Sequence, residues 1–163
     1  MRVRSAIRAD IPAMIELNHR SPTAANWSVQ QYESLFAEFD PRLSQRLILV
    51  AEDVSETTTA ADSARRRILA FLVARRVDKD WELENIVIAE DSRRRGVGSR
   101  LLSDLIKHAR TNDGNSIFLE VRQSNQSARA FYHKLGFIEF GSRKSYYSNP
   151  PEDAVLHRLA LSD

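Results

Sequence analysis

Seven stretches of the chain have the apolar pattern of β-strands. Residues 3–8 alternate apolar and polar side chains, as a strand with one buried face does. The later stretches are apolar runs bounded by turn-forming residues, and those at 46–51, 68–77 and 81–89 suggest an antiparallel set joined by hairpins. The pattern predicts strands at 3–8, 46–51, 68–77, 81–89, 117–121, 137–140 and 154–161.

Four other segments have helical periodicity. Asp10 is a candidate N-cap with Pro12 in the first turn, and Ser28 is the candidate N-cap of a second helix running to about residue 39. A third helix is predicted from Gly96 and a fourth after Asn125, each with one apolar face. These faces comprise Val97, Leu101, Leu102, Leu105, Ile106 and Ala109 in the third helix, and Ala128, Phe131, Tyr132 and Leu135 in the fourth. The order of strands and helices predicts one mixed α/β domain over residues 1–163.

Residues 54–67 interrupt this pattern. The segment is rich in Thr, Ser and Ala, ends in Arg65, Arg66 and Arg67, and has no periodicity. We therefore predict a flexible loop insertion between two strands. The three arginines are either a solvated run of charge or a contact with nucleic acid or a protein partner.

Composition excludes several classes of protein. A chain of 163 residues is long enough for one domain with a proper core. It has no Cys, which excludes disulfides, thiolate zinc sites and a Cys nucleophile, and its four His lack ligand spacing, so we expect no metal. A net charge of +2 gives no reason to expect direct nucleic-acid binding, although the chain has 20 Arg against 4 Lys.

The sequence gives no sign of a membrane partner. No apolar run approaches the roughly 18 residues that span a bilayer. The first residues include charged side chains and lack the apolar core of a signal peptide. We therefore expect a cytoplasmic protein.

The most distinctive local motif is the run from Arg93 to Gly98, which lies between a predicted strand and a predicted helix. The first N–H groups of a helix have no intrahelical partner, and the helix dipole is positive at that end. Glycines let the backbone approach an anion closely, so a diphosphate would meet several donors there. A plain strand-to-helix turn with exposed Arg is the alternative.

Other glycine motifs fit this run less well. A P-loop requires a Lys that is absent here, and a dinucleotide fingerprint would need Gly at position 101, which is Leu101. That fingerprint also follows the first strand of its unit, whereas at least three predicted strands precede Arg93.

Two further motifs lie downstream of the glycines. Leu119-Glu120-Val121 is followed by Asn125, and then by a pattern of the form A-x-x-F-Y-x-x-L-G-F over residues 128–137. Together with Arg93-x-x-Gly96-x-Gly98, this stretch resembles the GCN5-related N-acetyltransferase (GNAT) superfamily, and within it the ribosomal-protein-alanine N-acetyltransferases. The resemblance is dense from about residue 84 to 161 and thin before that. Glu90, Ser99 and the length of the 54–67 loop depart from the family pattern.

The resemblance implies a GNAT fold, in which a central, largely antiparallel twisted sheet of about seven strands is flanked by about four helices. It also implies acetyl-CoA as co-substrate. The backbone of Ile86, Val87 and Ile88 would run along the pantetheine arm like an added strand. The residues implied at the pyrophosphate and the coenzyme arm are Arg93, Arg94, Arg95, Gly96, Val97, Gly98, Ser99 and Asn125. Asn125 also suits a simple N-cap role.

The resemblance assigns Glu120 as general base and Tyr132 as general acid. An α-amine has a pKa near 8, so it must lose a proton before it attacks at neutral pH. A Tyr hydroxyl can protonate the departing thiolate, and without Cys the economical mechanism is direct attack in a ternary complex. Outside the resemblance, a solvated strand carboxylate and a core aromatic are the ordinary roles for these two residues.

The acceptor implied by the resemblance is a protein N-terminus, most simply the N-terminal alanine of a small-subunit ribosomal protein. We hypothesise that the acidic residues near 78–84, above all Glu82 and Glu84, attract a basic peptide, with a solvated strand edge as the alternative. Trp27, Tyr146 and Tyr147 would border the same cleft. The other functions considered are acetylation of a Lys side chain or small-molecule amine, and a non-catalytic acetyl-CoA-binding or ribosome-docking module.

Overall fold

The computed structural model describes residues 1–25, 27–37, 45–54 and 67–161. Its strands are β1 (Arg2–Ser5), β2 (Arg46–Glu52), β3 (Ile68–Val77), β4 (Asp80–Ile88), β5 (Ser116–Arg122), β6 (Ile138–Ser148) and β7 (Pro151–Ala160). Its helices are α1 (Ile11–His19), α2 (Val29–Ser34), α3 (Val97–Thr111) and α4 (Gln126–Lys134), with 3-10 turns at Arg8–Asp10 and Glu90–Ser92. The predicted mixed architecture of seven strands and four helices is confirmed within these ranges.

The seven strands form one sheet in the order β1-β2-β3-β4-β5-β7-β6. Neighbouring strands are antiparallel except for β4 and β5, which are parallel and are joined through α3. A parallel pair needs a crossover of this kind, whereas antiparallel neighbours need only a turn. The predicted antiparallel set of β2, β3 and β4 is therefore present, and the change of direction falls between β4 and β5.

Two apolar clusters cover the sheet. One packs α3 against the sheet, and the apolar face predicted from its 3.6-residue spacing is buried apart from the half-buried Ile106. The other packs α1 and α2 around Met14, Tyr32 and Phe71, all fully buried. Among the described helices, none has the length and apolarity needed to cross a membrane.

The N-terminal prediction needs a correction. The first strand ends at Ser5 rather than at residue 8, and Asp10 does not cap α1 with its side chain. Its carboxylate instead accepts hydrogen bonds from the Ile7 backbone N–H (2.8 Å) and from the Arg4 guanidinium (2.7 and 2.9 Å). Because the Ile7 N–H donates to the Asp10 carboxylate and not to a neighbouring strand, the first strand ends before Ile7.

Two helix starts agree with prediction. Ser28 Oγ accepts from the Gln31 N–H, while Gln31 Oε1 accepts from the Ser28 N–H, which is a reciprocal capping box. The helix it caps ends at Ser34 and is followed by a turn and a bend over residues 35–37, so it is shorter than the predicted helix to about residue 39. Asn125 caps α4 through a bond from the Ala128 N–H (3.1 Å).

Most of the 54–67 loop also lies outside the described residues, including Arg65 and Arg66. At its ends, the Asp53 N–H donates to the Arg67 carbonyl (2.9 Å), and Arg67 forms an ion pair with Asp91 (2.7 Å). The insertion and the single-domain assignment remain predictions.

The largest difference from prediction is β6. The apolar pattern predicted a strand only over 137–140, but β6 continues to Ser148, and nearly all its residues are exposed. It is an edge strand, so the burial that produces a readable alternation is missing. Its pairing with β7 is interrupted between Glu139 and Gly141 and again between Arg143 and Tyr147, where Ser145 has a φ of 49°.

Candidate active site

A cleft opens where two neighbouring strands separate. The parallel ladder between β4 and β5 runs from Asp80–Ser116 to Glu82–Phe118. Both strands continue past that point, β4 to Ile88 and β5 to Arg122. Residues 83–88 and 119–122 line the two sides of a cavity of about 1040 Å³. Backbone amides along these two edges therefore face a space rather than each other.

A bulge in β4 sets which side chains face that space. Leu83 is opposite Ala74 and Asn85 is opposite Val73, so β4 has one extra residue at Glu84. Before the bulge, the odd-numbered Leu83 packs on the α3 side, and after it the even-numbered Ile86 and Ile88 do. Asn85 turns to the opposite side, where its buried amide donates to Asn18 Oδ1 of α1 (3.3 Å).

The start of α3 forms a second wall of the cleft. Gly96, the N-cap, has a φ of 79°, and Arg94 two residues earlier has a φ of 59°. Left-handed residues in such a turn direct successive N–H groups to one side, a geometry that suits an anion. The first N–H groups of α3 add donors and the positive end of the helix dipole. This turn is the predicted phosphate-binding motif.

Gly98 brings three elements together at that wall. A Cβ at this position would lie 2.9 Å from Ile88 Cδ1 and 3.2 Å from Phe131 Cζ, so a larger residue here would require these two side-chain ends to move. At Gly96 no atom lies within 4 Å of an added Cβ. The first glycine is therefore favoured by the backbone conformation, and the second by the close approach of two side chains.

The three arginines of this motif are placed differently. Arg93 and Arg94 line the cleft, and the Arg93 Nε also donates to the Ile88 carbonyl (3.4 Å). Arg95 is exposed and does not line the cleft; its charge helps to lower the pKa of Asp91, whose hydrogen bond from Arg67 has the largest effect. The remaining predicted coenzyme residues that line the cleft are Ile86, Val87, Ile88, Gly96, Val97, Gly98, Ser99 and Asn125.

Glu120 lies on β5 in the same cleft, with its side chain partly exposed. Its Oε1 is 2.9 Å from Arg143 Nη1. Interaction with Glu120, followed by partial burial, raises the pKa of the Tyr146 hydroxyl. Both contacts come from β6 and cross over β7. The predicted base is therefore already paired with a cation and has a phenol beside it.

Tyr132 also lines the cleft but is only 6% exposed. Its ring packs against those of Phe131 (5.3 Å between centroids), Phe137 (5.6 Å) and His157 (6.0 Å). Burial raises the pKa of Tyr132, and the nearby Tyr147 raises it further. The phenol is therefore protonated at neutral pH, as a general acid must be.

Tyr146 and Tyr147 stand beside this pair of residues. Their rings meet edge to face at 5.1 Å, and the Arg122 guanidinium lies 4.1 Å from the centre of the Tyr147 ring. Burial, followed by the charge of Glu120, raises the pKa of Tyr147 to about 12. Both tyrosines line the cleft, together with residues 23–25 of the loop after α1.

The remaining predicted acceptor residues are distributed between the cleft and its surroundings. Glu84 lines the cleft but is paired with Arg46 (3.3 Å) and Arg75 (3.7 Å). Glu82 forms an ion pair with Arg75 and does not line the cleft. Trp27 packs edge to face on Tyr32 (5.4 Å) in the cluster under α1 and α2, also outside the lining.

Two contacts in the cleft were not predicted from the sequence. One joins Arg143 to Glu120, and the other places the Arg122 guanidinium over the Tyr147 ring. Arg143 reaches Glu120 across β7, and that contact depends on the irregular pairing of β6. Asp153 holds the irregular segment by accepting from the Ser145 N–H (2.8 Å) and from Lys144 Nζ (2.9 Å). No spacing along the chain encodes a contact assembled from three strands. In the described residues, no three His, Cys, Asp or Glu side chains are grouped as metal ligands would be.

Comparison with known proteins decides the family. Residues 12–137 match the Acetyltransferase (GNAT) family. The chain belongs to this family. It is a GNAT N-acetyltransferase, as its motifs predicted, and acetyl-CoA is the co-substrate expected of such an enzyme.

Individual relatives agree with this assignment. The "[Ribosomal protein bS18]-alanine N-acetyltransferase" of Salmonella typhimurium is 38% identical over 102 residues, covering 61% of this chain and 69% of that protein. The crystal structure of the ribosomal-protein-S18-alanine N-acetyltransferase from Escherichia coli is 27% identical, with a TM-score of 0.76 over 99% of this chain and 94% of that one. Arabidopsis thaliana NAA60, solved in complex with acetyl-CoA, has the same fold at 14% identity, with a TM-score of 0.80 and coverage of 98% and 97%.

Proposed function

We propose that this GNAT enzyme transfers the acetyl group of acetyl-CoA to the N-terminal α-amine of a protein, and specifically to the N-terminal alanine of a ribosomal protein. The observation that carries the acceptor is the 38% identity to the Salmonella enzyme named for ribosomal protein bS18 alanine. The cleft supports the reaction, because it combines an anion-binding turn, free strand edges and a carboxylate in one space.

The coenzyme side of the proposal rests mainly on backbone. The turn from Arg94 to Ser99 offers N–H donors and the end of a helix dipole to a diphosphate, and Arg93 and Arg94 add charge. Ile86, Val87 and Ile88 present a strand edge on which an amide-bearing chain can add as a further strand. Acetyl-CoA, when bound, supplies the activated acetyl thioester.

The acceptor side rests on side chains. An incoming α-ammonium must lose its proton, and Glu120 is the cleft carboxylate that we assign to receive it, directly or through water. Tyr132 is the protonated hydroxyl that we assign to the departing thiolate. Tyr146 and Tyr147 would border the first residues of the peptide. With both groups in the cleft, direct attack in a ternary complex requires no covalent enzyme intermediate.

The test uses acetyl-CoA and a panel of peptides that begin with Ala, Ser or Met, beside an N-acetyl-Ala peptide with an internal Lys. We expect mass spectrometry to locate the new acetyl group on the free α-amine of the Ala peptide. The N-acetylated peptide is the matched control because it removes only that amine.

Other outcomes would select the other functions. Acetylation restricted to internal Lys would contradict the N-terminal proposal and favour a side-chain acceptor. Binding of acetyl-CoA without transfer to any peptide would favour a non-catalytic module.

A further inference from the structure

The carboxylate assigned to receive the acceptor's proton is already occupied by a cation. Arg143 Nη1 is 2.9 Å from Glu120 Oε1, and the Arg143 side chain is 57% exposed. An acceptor α-ammonium approaching Glu120 is also a cation. The two groups therefore compete for one carboxylate.

The second carboxylate in the cleft does not offer the same opportunity. Glu84 is paired with Arg46 and Arg75, whose side chains are 27% and 39% exposed and anchored on the neighbouring strands β2 and β3. Displacing them would open a network that also includes Glu82. The partner of Glu120, by contrast, lies on the edge strand β6, at the last regular pair before the irregular segment, and its side chain is 57% exposed. Of the two carboxylates that line the cleft in the described part of the chain, Glu120 is the one whose cation is more readily displaced.

The energy of displacement is small. An ion pair whose cation is this exposed is weak, because water screens the guanidinium. Replacing a guanidinium by an ammonium leaves the net charge beside Glu120 unchanged, so no carboxylate is left unpaired. The Arg143 side chain also has an alternative contact on its own strand, since it lies 5.5 Å from the centre of the Tyr146 ring.

The geometry points to Arg143 as a residue that competes with the acceptor: it occupies the acceptor-ammonium position in the free enzyme and is exchanged for the ammonium on binding. This inference rests on the proposed function, because it takes Glu120 as the acceptor's partner. An acceptor that carries a free cationic amine can make the exchange. The same peptide with a neutral, acetylated N-terminus does not pair with Glu120, so its binding does not depend on the displacement of Arg143.

The test compares the binding of two peptides that differ only in the acetyl group. Calorimetry gives the Kd of an Ala-initiated peptide and of its N-acetylated twin for the wild type and for Arg143→Gln. We expect the variant to bind the free-amine peptide about two- to fivefold tighter, as removal of a weak competing ion pair predicts, with little change for the twin.

Two controls separate the exchange from a general charge effect. Arg143→Lys keeps a cation at the site and should stay close to wild type. Arg129→Gln removes the same formal charge from the Glu139 ion pair, which is outside the cleft, and should leave both Kd values unchanged. Equal tightening for both peptides, or weaker binding of the free-amine peptide by Arg143→Gln, would overturn the inference.

The same peptides separate this inference from the proposed function. A wild-type enzyme that acetylates the Ala peptide, but whose Kd ratio does not change with Arg143→Gln, overturns the inference alone. A wild type that binds the peptide without acetylating it overturns the proposed function, while the ratio of the two Kd values still decides the role of Arg143.

Discussion

The cleft has a proposed coenzyme side, at the turn before α3, and a proposed acceptor side, at β5 and β6, and the two are built in different ways. The turn before α3 presents backbone N–H groups, and its geometry depends on two glycines in six residues. The opposite side presents side chains from β5 and β6, and the ion pair between Glu120 and Arg143 joins these two strands across β7. A site made from backbone tolerates changes of most side chains, whereas a site made from side chains depends on each one. Single substitutions should therefore have unequal effects on the two sides.

Glu120→Gln should have the largest effect. The amide keeps the shape of the side chain but cannot accept the acceptor's proton, so we expect kcat to fall about 10²- to 10³-fold. The KM for acetyl-CoA should change little, because the turn proposed to bind the diphosphate is intact. Steady-state kinetics with an Ala-initiated peptide measure both values. A rise in the KM for acetyl-CoA as large as the loss of kcat would erase the distinction between the two sides.

Tyr132→Phe should come next. The ring keeps its packing against Phe131, Phe137 and His157, so only the proton donor is lost. We expect kcat to fall about 10²-fold with little loss of acetyl-CoA affinity, measured by calorimetry and single-turnover kinetics. An unchanged rate would remove Tyr132 from the mechanism.

Substitution of Gly98 or Gly96 tests the proposed coenzyme side, where the KM for acetyl-CoA should change more than kcat does. Gly98→Leu introduces atoms where Ile88 and Phe131 already lie, and we expect the KM for acetyl-CoA to rise about tenfold as the turn is pushed away. Gly96→Ala meets no atom and adds only backbone strain of about 1 kcal/mol.

The Gly96→Ala variant is the control for this experiment. Its thermal stability should fall while its KM for acetyl-CoA stays within about threefold of wild type. If Gly96→Ala harmed coenzyme binding more than Gly98→Leu did, space at Gly98 would not be the limiting requirement.

The smallest expected effect is on the pH dependence of stability, and it arises from His157, whose ring packs against Tyr132. His157 is fully buried, and burial lowers its pKa. The unfolded chain therefore takes up more protons near pH 6, so this residue's contribution to stability is present above about pH 6.5, the ordinary pKa of His, and is lost as the pH falls.

Thermal unfolding at pH 7.5 and 5.5 measures this contribution. We expect the Tm of the wild type to drop by a few degrees on acidification and that of His157→Gln to drop less. His108, whose pKa is also lowered by burial, remains in the variant and supplies the residual slope. Identical slopes for wild type and variant would contradict a buried neutral His157.

The same contrast explains what the sequence could predict. The α3 motif was readable because Gly96, Gly98 and the strand before them are neighbours in the chain, and the apolar stripe of α3 follows from a local period. The predicted strand ends at residue 140, eight residues before the end of β6, because the exposed residues of β6 have no apolar alternation. The pairing of Arg143 with Glu120 depends on two irregular registers and a strand between them, which no local pattern contains.

The early end of the β4–β5 ladder has a thermodynamic consequence. Past Glu82 and Phe118, each strand is without the other as a hydrogen-bonding partner, and the surface they enclose is open to solvent. A molecule that fills this gap binds the folded chain and not the unfolded one, so its free concentration enters the folding equilibrium. At one hundred times its Kd, such a ligand adds about 2.7 kcal/mol to the free energy of unfolding. Resistance to proteolysis would then rise and fall with the supply of acetyl-CoA.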